Sequence, residues 1–186
     1  HSWSDEGGEK WTRLQEWTQA RAETERTPPL VWLDKACISQ TNISESLSCL
    51  PVFLSGCRVL VVLAGSTYTS RLWCVMELYV FVRMGGGRDE MSVKLLGETA
   101  KLETRLTKFD AGEARCFLDG DRHRLLAVIE ASFGTTSPFN TVIRGIFNEK
   151  LGVVAPPRNS TLRRQSNVWS AKRLTKGGSS AEAVRV

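Results

Sequence analysis

Residues 59–78 read VLVVLAGSTYTSRLWCVMEL, and this stretch decides the predicted fold. Residues 59–64 are continuously apolar, as in a strand that is buried on both faces of a parallel sheet. A turn-like segment at 65–68 follows, and a helix with Trp73 and Glu77 one turn apart comes after it. The pattern therefore predicts a strand, a loop and a helix in succession. Open α/β sheets bind their ligands at this carboxyl edge of the strands.

The rest of the chain continues this alternation of strand and helix. Helical spacing of apolar residues and short apolar runs identify the other elements. Pro51 lies inside one predicted helix and is expected to kink or interrupt it. Alternating elements fold as βαβ units, so we predict an α/β protein with a parallel sheet covered by helices on both faces. The predicted helices span residues 9–25, 44–56, 72–84, 125–133 and 139–147, and the predicted strands span 30–33, 59–64 and 91–96.

The positive charge of the chain is concentrated towards its C-terminal end. The net charge over 186 residues is +5. Residues 151–186 hold seven Lys/Arg and one acid, a net +6, whereas residues 1–150 hold eighteen and nineteen, a net −1. A nucleic-acid interface needs its basic residues on a folded face, so no specific nucleic-acid partner is predicted. Apolar residues are sparse beyond residue 152, and we predict a domain over 1–152 followed by a basic disordered tail over 153–186.

Cysteine and histidine usage argues against a disulfide framework and against a metal centre. The five cysteines are an odd number and form no CxxC pair, which is typical of a reducing compartment. The chain contains two histidines, too few to favour a zinc site.

No apolar run reaches the ~18 residues of a transmembrane helix, and the polar start HSWSD does not resemble a secretory signal. These features predict a cytoplasmic protein with no membrane span and no resident cofactor.

Three boxes resemble the Toll/interleukin-1 receptor (TIR) domain family in order and spacing. HSWSD at residues 1–5 resembles the end of the first box, where a strand runs into a Ser-rich acidic loop. VWLD at 31–34 resembles the second strand and the start of its loop. The strand at 59–64 and SxxWCxxEL at 70–78 resemble the third strand and the next helix. The match covers residues 1–96, and WLDKACISQ at 32–40 also resembles heterokaryon-incompatibility domains.

The resemblance implies a flavodoxin-like parallel sheet. In that fold the first strand lies in the middle of the sheet, between the second and third strands. This chain begins just after the place where that strand would lie. We therefore expect the first strand to be missing, so that the chain either folds poorly alone or leaves a gap between the strands at 30–33 and 59–64.

The resemblance also implies a reaction. In enzymatic TIR domains a Glu in this helix cleaves the bond between ribose and nicotinamide in NAD, and Glu77 falls at that position. Trp73, Ser4, Asp5 and Asp34 then become candidate substrate contacts, with NAD as the substrate. Loss of nicotinamide builds positive charge on the ribose, and a nearby carboxylate stabilises that charge.

Three classes of function remain open at this point: an NAD glycohydrolase, a non-enzymatic scaffold and a nucleotide-binding module without turnover. Many TIR domains are non-enzymatic scaffolds that associate with themselves and with other TIR-like domains. A Glu in the first helical turn is favoured by the helix dipole without any catalytic role, and a Trp at a helix start usually belongs to the core. The sequence thus predicts a self-associating signalling or defence module, either as an NAD glycohydrolase or as an interaction scaffold.

Three weaker groups have simpler explanations. Gly85–Gly87 is expected to end a helix rather than to bind phosphate. Asp119, Asp121 and His123 are expected to cap the following helix rather than to bind a metal. Cys37 lacks the strongly basic surroundings of a reactive thiol.

Overall fold

A computed structural model describes residues 5–37, 49–87, 89–152 and 183–185 of the chain, and the fold is mixed α/β, as predicted at that level. The helices are α1 (Gly7–Glu25), α2 (Asp34–Cys37), α3 (Leu50–Ser55), α4 (Leu72–Arg83), α5 (Thr99–Thr107), α6 (Asp119–Phe133) and α7 (Thr136–Lys150). The strands are β1 (Leu30–Trp32), β2 (Cys57–Ala64), β3 (Met91–Leu95) and β4 (Ala183–Arg185).

Strand β2 has the burial expected from its sequence. Every residue from Val59 to Ala64 is at most 8% exposed. The polar Arg58 near its start is exposed instead. A continuous apolar run is stable here because both faces of the strand are covered, as in parallel sheets.

The sheet has the strand order β1-β4-β2-β3. β4 pairs in parallel with both neighbours, so that Val184 lies opposite Val31 on one side and Val59 on the other. At the other edge, Leu60 N donates to Glu90 O and Leu96 N donates to Ala64 O. Because residue numbers increase in the same direction along these two paired segments, β2 and β3 run parallel.

The position between β1 and β2 differs from the sequence-based expectation. A missing strand predicts a gap at this place, and 183–186 falls within the predicted disordered tail. Instead, residues 183–185 occupy the position and pair on both sides. Pairing there satisfies backbone N–H and C=O groups, which any residue type except Pro provides. A composition argument over 153–186 does not detect so short a strand, and the remainder of that tail lies outside the described residues.

The chain divides into two compact units. The first consists of the described residues within 1–7, 63–79 and 93–157. The second consists of those within 8–62, 80–92 and 158–186.

The first unit is built around an aromatic and aliphatic core. α7 contributes the fully buried Phe139, Ile143 and Phe147, and its neighbour Val142 is half-buried. The Phe139 ring lies 5.3 Å from the Tyr79 ring and 6.1 Å from the Phe109 ring, both edge-on. This packing fixes α7 and the polar side chains that it carries.

The described part of the second unit includes Pro51 and two tryptophans in helices or strands. Pro51 stands in the first turn of α3, where a missing N–H costs nothing. Residues 44–48 of the predicted helix lie outside the described residues, so the expected kink or interruption stays a prediction. In α1, Leu14 is buried, whereas Trp11 is 59% exposed. Trp32 of β1 stacks on Phe53 of α3 with ring centroids 5.4 Å apart.

Candidate functional site

The loop at residues 65–71 joins β2 to α4 and leads directly to Trp73 and Glu77. Asp5 holds its first half. The Oδ1 atom of Asp5 accepts hydrogen bonds from the backbone N and the Oγ1 of Thr67, both at 2.8 Å. Ser66 Oγ donates to the same oxygen at 3.4 Å. A Cβ atom at Gly65 would collide with this carboxylate, so glycine permits the close approach.

A second support for this loop comes from α5. Arg105 donates a guanidinium hydrogen bond from Nη1 to the carbonyl oxygen of Ser66. The two residues are 39 positions apart in the sequence. Asp5 and Arg105 therefore hold neighbouring loop residues from two distant parts of the chain.

The second half of the loop pairs with Arg115. Arg115 N donates to Ser70 O at 2.8 Å, and Leu72 N donates to Arg115 O at 2.9 Å. Arg71 and Arg115 form an isolated parallel bridge between these bonds. Since Leu72 is the first residue of α4, the pairing also satisfies one of the orphan N–H groups at the start of that helix.

Residues 109–115 are themselves anchored to α7. Asn140 is 5% exposed, and its Oδ1 accepts from Ala111 N at 2.9 Å while its Nδ2 donates to Asp110 Oδ1 at 3.0 Å. Arg144 Nε donates to Phe109 O at 2.7 Å. A buried amide with both ends bonded stabilises one conformation of the segment, because any other would leave polar atoms unpaired.

Arg122 of α6 supplies a further anchor to the same segment. Its Nε donates to Ala114 O at 2.9 Å and its Nη2 to Gly112 O at 2.7 Å. Together with Asp5 and Arg105, these contacts form what we call the loop frame: Asp5, Arg105, Arg115, Arg122, Asn140 and Arg144.

Trp73 and Glu77 lie on the half-buried side of α4. Both have intermediate exposure, whereas Leu72, Val75 and Leu78 are fully buried. Residues four apart lie on one helical face, so the indole and the carboxylate are neighbours in position along α4. The hydroxyl of Tyr68, a loop residue, donates to the carbonyl oxygen of Cys74 at 3.0 Å. Cys74 lies between Trp73 and Glu77 in the sequence.

The position of Glu77 removes one of the non-catalytic explanations. α4 begins at Leu72 and has no acidic residue in its first turn. The expectation that Glu77 belongs to that turn is therefore wrong. The helix dipole acts mainly within the first turn, so it does not explain a carboxylate in the second.

Cys116 lies beside the start of α4. Its pKa is raised from 9.0 to about 11, mainly by burial and next by the negative charge of Asp121. Arg71 and Arg122 lower the pKa, as does a hydrogen bond from the backbone of Trp73, but these effects are smaller. The thiol therefore stays protonated at neutral pH and is a poor nucleophile.

The structure describes the other predicted substrate contacts only in part. Ser4 lies outside the described residues, and Asp34 is the first residue of α2 in the second unit, with its side chain also outside them. Asp5, Trp73 and Glu77 all belong to the first unit. Asp5 is bonded to the loop before α4, and its role as a substrate contact stays a prediction.

Two groups with weaker sequence signals are Gly85–Gly87 and the set of Asp119, Asp121 and His123. Gly85 has a φ of 93° just beyond α4, as expected of a glycine that ends a helix. The cap of α6 is Leu118, so Asp119 and Asp121 lie in the first turn rather than at the cap. Among residues 5–37, 49–87, 89–152 and 183–185, no group of three or more His, Cys, Asp or Glu side chains could hold a metal ion.

The loop frame was missed by sequence reasoning, because residues 97–150 carry no motif of the family. One signal was present: Asn140 follows Phe139 within the apolar face of α7. A polar residue on a buried face needs partners, and these could have been sought in a loop. The arginines gave no such signal, since they bond to backbone carbonyls.

No protein-family model matches this chain, and neither does any curated protein or solved structure. Within the part of the chain that the structure describes, no helix is long and apolar enough to cross a membrane. The TIR resemblance of residues 1–96 therefore remains the basis on which a function is proposed.

Proposed function

We propose that the chain is an intracellular TIR-like signalling or defence module that self-associates and hydrolyses NAD at the nicotinamide–ribose bond. Glu77 is the proposed catalytic residue. The observation that supports this best is its place in the second turn of α4, one turn after Trp73 and directly beyond a loop held by the loop frame.

The proposed reaction needs one carboxylate and one water molecule. The bond between the ribose C1′ and the nicotinamide nitrogen breaks, and its electron pair leaves with the ring as neutral nicotinamide. Water adds to C1′ and loses a proton, which gives ADP-ribose. The ionised carboxylate of Glu77 stabilises the positive charge that develops on the ribose in between.

The loop frame supports this chemistry because an electrostatic catalyst must be in place before charge develops. The loop before α4 is held by a carboxylate, a guanidinium and a backbone pairing, each from a different part of the first unit. Side chains on a helix with a fixed start keep their positions better than side chains on a free loop. In this proposal Trp73 packs against the sugar or a base of NAD, with Ser4 and Asp5 as further substrate contacts. Asp34 belongs to the second unit, and its contact with the substrate stays a prediction from the sequence.

A second candidate function is a non-enzymatic scaffold for homotypic association with other TIR-like domains. It is favoured by an exposed apolar pair before and at the cap of α6, where Phe117 is 87% exposed and Leu118 is 55% exposed. Adjacent large apolar side chains in water are a common feature of protein-binding surfaces.

Nicotinamide release from NAD separates the two functions. The wild type is compared with Glu77→Gln, which keeps the size of the side chain and removes its charge, and with Glu130→Gln as a matched change at an exposed Glu of α6. We expect Glu77→Gln to lose about 10²–10³-fold in kcat, as for removal of one electrostatic stabiliser, and Glu130→Gln to keep wild-type activity.

The opposite outcome assigns the scaffold function. If the wild type and Glu77→Gln release nicotinamide at the same rate while both are folded, Glu77 is not catalytic. Retention of self-association in both variants would then support the scaffold.

A further inference from the structure

The middle of the sheet is completed by a very short and distant segment. β4 contributes three residues, and Ala183, Val184 and Arg185 pair with β1 on one side and with β2 on the other. Its two partner strands, β1 and β2, are both far from it in the sequence. About thirty residues separate Gly152, the last described residue after α7, from Ala183.

A strand must occupy this position if the facing backbone N–H and C=O groups of β1 and β2 are to form hydrogen bonds. β2 is buried along nearly its whole length, so its backbone N–H and C=O groups have little access to water. Unpaired buried backbone groups cost about 1–3 kcal/mol each. Removal of β4 would expose two inner edges, one on β1 and one on β2, and such edges readily pair with another strand.

The contacts that hold β4 are also easy to reproduce with another copy. The ladder is made of backbone hydrogen bonds in parallel register, which do not depend on a tight turn between the paired strands. A connection of about thirty residues can extend to roughly 100 Å. The same segment of a second chain therefore fits the position with an identical register.

We propose that β4 is exchanged between two copies of this chain, each copy placing its Ala183–Arg185 strand between β1 and β2 of the other. This inference rests on the self-association in the proposed function and gives it a physical route. A reciprocal exchange is a closed, twofold arrangement that leaves no unpaired inner edge.

Concentration decides which arrangement is occupied. A connection of this length gives the strand of the same chain an effective concentration on the order of mM. Single chains therefore keep their own β4 in dilute solution. Exchange becomes favourable when copies are gathered at a similar local concentration, as in a signalling assembly.

Disulfide trapping between two differently substituted chains tests the exchange. One chain carries Val59→Cys and the other carries Val184→Cys, so that each keeps a valine opposite its own cysteine. Cys37 and Cys49, the exposed natural cysteines, are changed to Ser in both. After mixing at rising concentration under mild oxidation, we expect a covalent heterodimer whose linked peptide joins residues 59 and 184.

The matched control replaces Val59→Cys by Val128→Cys, an exposed position of α6. Cysteines that are not brought within about 7 Å cannot be bridged, so this pair should give at least about tenfold less heterodimer. Equal yields from the two pairs, or no link between residues 59 and 184 at mM concentration, would overturn the exchange.

A binding measurement covers the case in which oxidation disturbs the fold. A fluorescent peptide of residues 178–186 is titrated into the full chain carrying Val184→Pro, whose own strand can no longer donate at the central N–H. We expect saturable binding at least about tenfold tighter than to the wild type, in which the tethered strand competes. No binding of this peptide, or equal binding of a peptide with the same Pro, would contradict the proposal.

The same samples separate this inference from the proposed function. Sedimentation reports self-association, and nicotinamide release reports the activity. Association without the 59–184 link refutes strand exchange and leaves the proposed function intact. The link without nicotinamide release refutes the proposed activity and leaves strand exchange intact.

Discussion

Two short segments of this molecule, the loop at residues 65–71 and the strand β4, are both held by distant parts of the chain, but by different means. The loop is held largely by side chains: Asp5 bonds to Thr67, and Arg105 bonds to Ser66. β4 is held by backbone pairing with β1 and β2. The loop therefore depends on particular residue types, whereas β4 depends on backbone N–H and C=O groups.

This difference predicts how each segment responds to substitution. Changing Asp5, Arg105, Arg122, Asn140 or Arg144 removes a specific side-chain bond, and a conservative replacement can restore part of it. In β4, by contrast, most residues supply the same backbone groups. Only a change that removes the backbone donor should have a large effect there.

Val184→Pro should have the largest effect. Val184 is the middle residue of β4 and pairs on both sides, and proline removes its N–H and fits poorly within an inner strand. We expect the free energy of unfolding to fall by about 3 kcal/mol, the upper end of the cost of leaving a buried backbone acceptor unpaired. Chemical denaturation of Val184→Pro and of the control Val184→Ile measures this. A loss of similar size in both variants would contradict the backbone account of β4.

Asp5→Ala should have an intermediate effect. It leaves the N–H and hydroxyl of Thr67 without the carboxylate that accepts both bonds at 2.8 Å. The expected cost is about 1–3 kcal/mol. Faster hydrogen exchange at the Thr67 amide should accompany it.

Asp5→Asn sharpens the same test, because its amide oxygen can still accept from Thr67. We expect it to recover part of the lost stability, and Glu130→Ala, at an exposed position, to leave stability unchanged. If Asp5→Ala and Glu130→Ala behave alike, Asp5 does not hold the loop.

The sequence predicted the elements better than their connections. Residues 59–64 and the apolar positions of α7 were predictable, because continuous or helically spaced apolar residues have few alternatives to burial. The start of α4 was also predictable, which placed Trp73 and Glu77 on one face.

The supports of the loop were not predictable for a physical reason. Arg105 and Arg122 act by donating to carbonyl oxygens, and every residue of the chain carries a carbonyl. Nothing in the residue types of Ser66 or Ala114 marks them as partners. β4 escaped prediction similarly, since backbone pairing leaves little trace in a three-residue sequence.

Cys116 should show the smallest effect, and it tests the surroundings of the start of α4. Its pKa is about 11 in the folded protein and 9.0 without the protein environment. Between these values the thiol of the unfolded chain ionises first, which favours unfolding. The stability that burial of the neutral thiol provides is present below pH 9 and declines as pH rises towards 11.

Comparison with Cys116→Ser isolates this decline, because serine does not ionise in that range. The stability of the wild type relative to Cys116→Ser should fall between pH 9 and 11. A difference that stays constant with pH would show that the thiol is not held in the buried position beside Trp73.

The central claim, that the carboxylate in the second turn of α4 is catalytic, is tested most directly by the rate of nicotinamide release by folded Glu77→Gln relative to the folded wild type. We predict NAD turnover by the wild type and a rate at least about 10²-fold lower for Glu77→Gln. Equal rates, including no release by either protein, would contradict the claim.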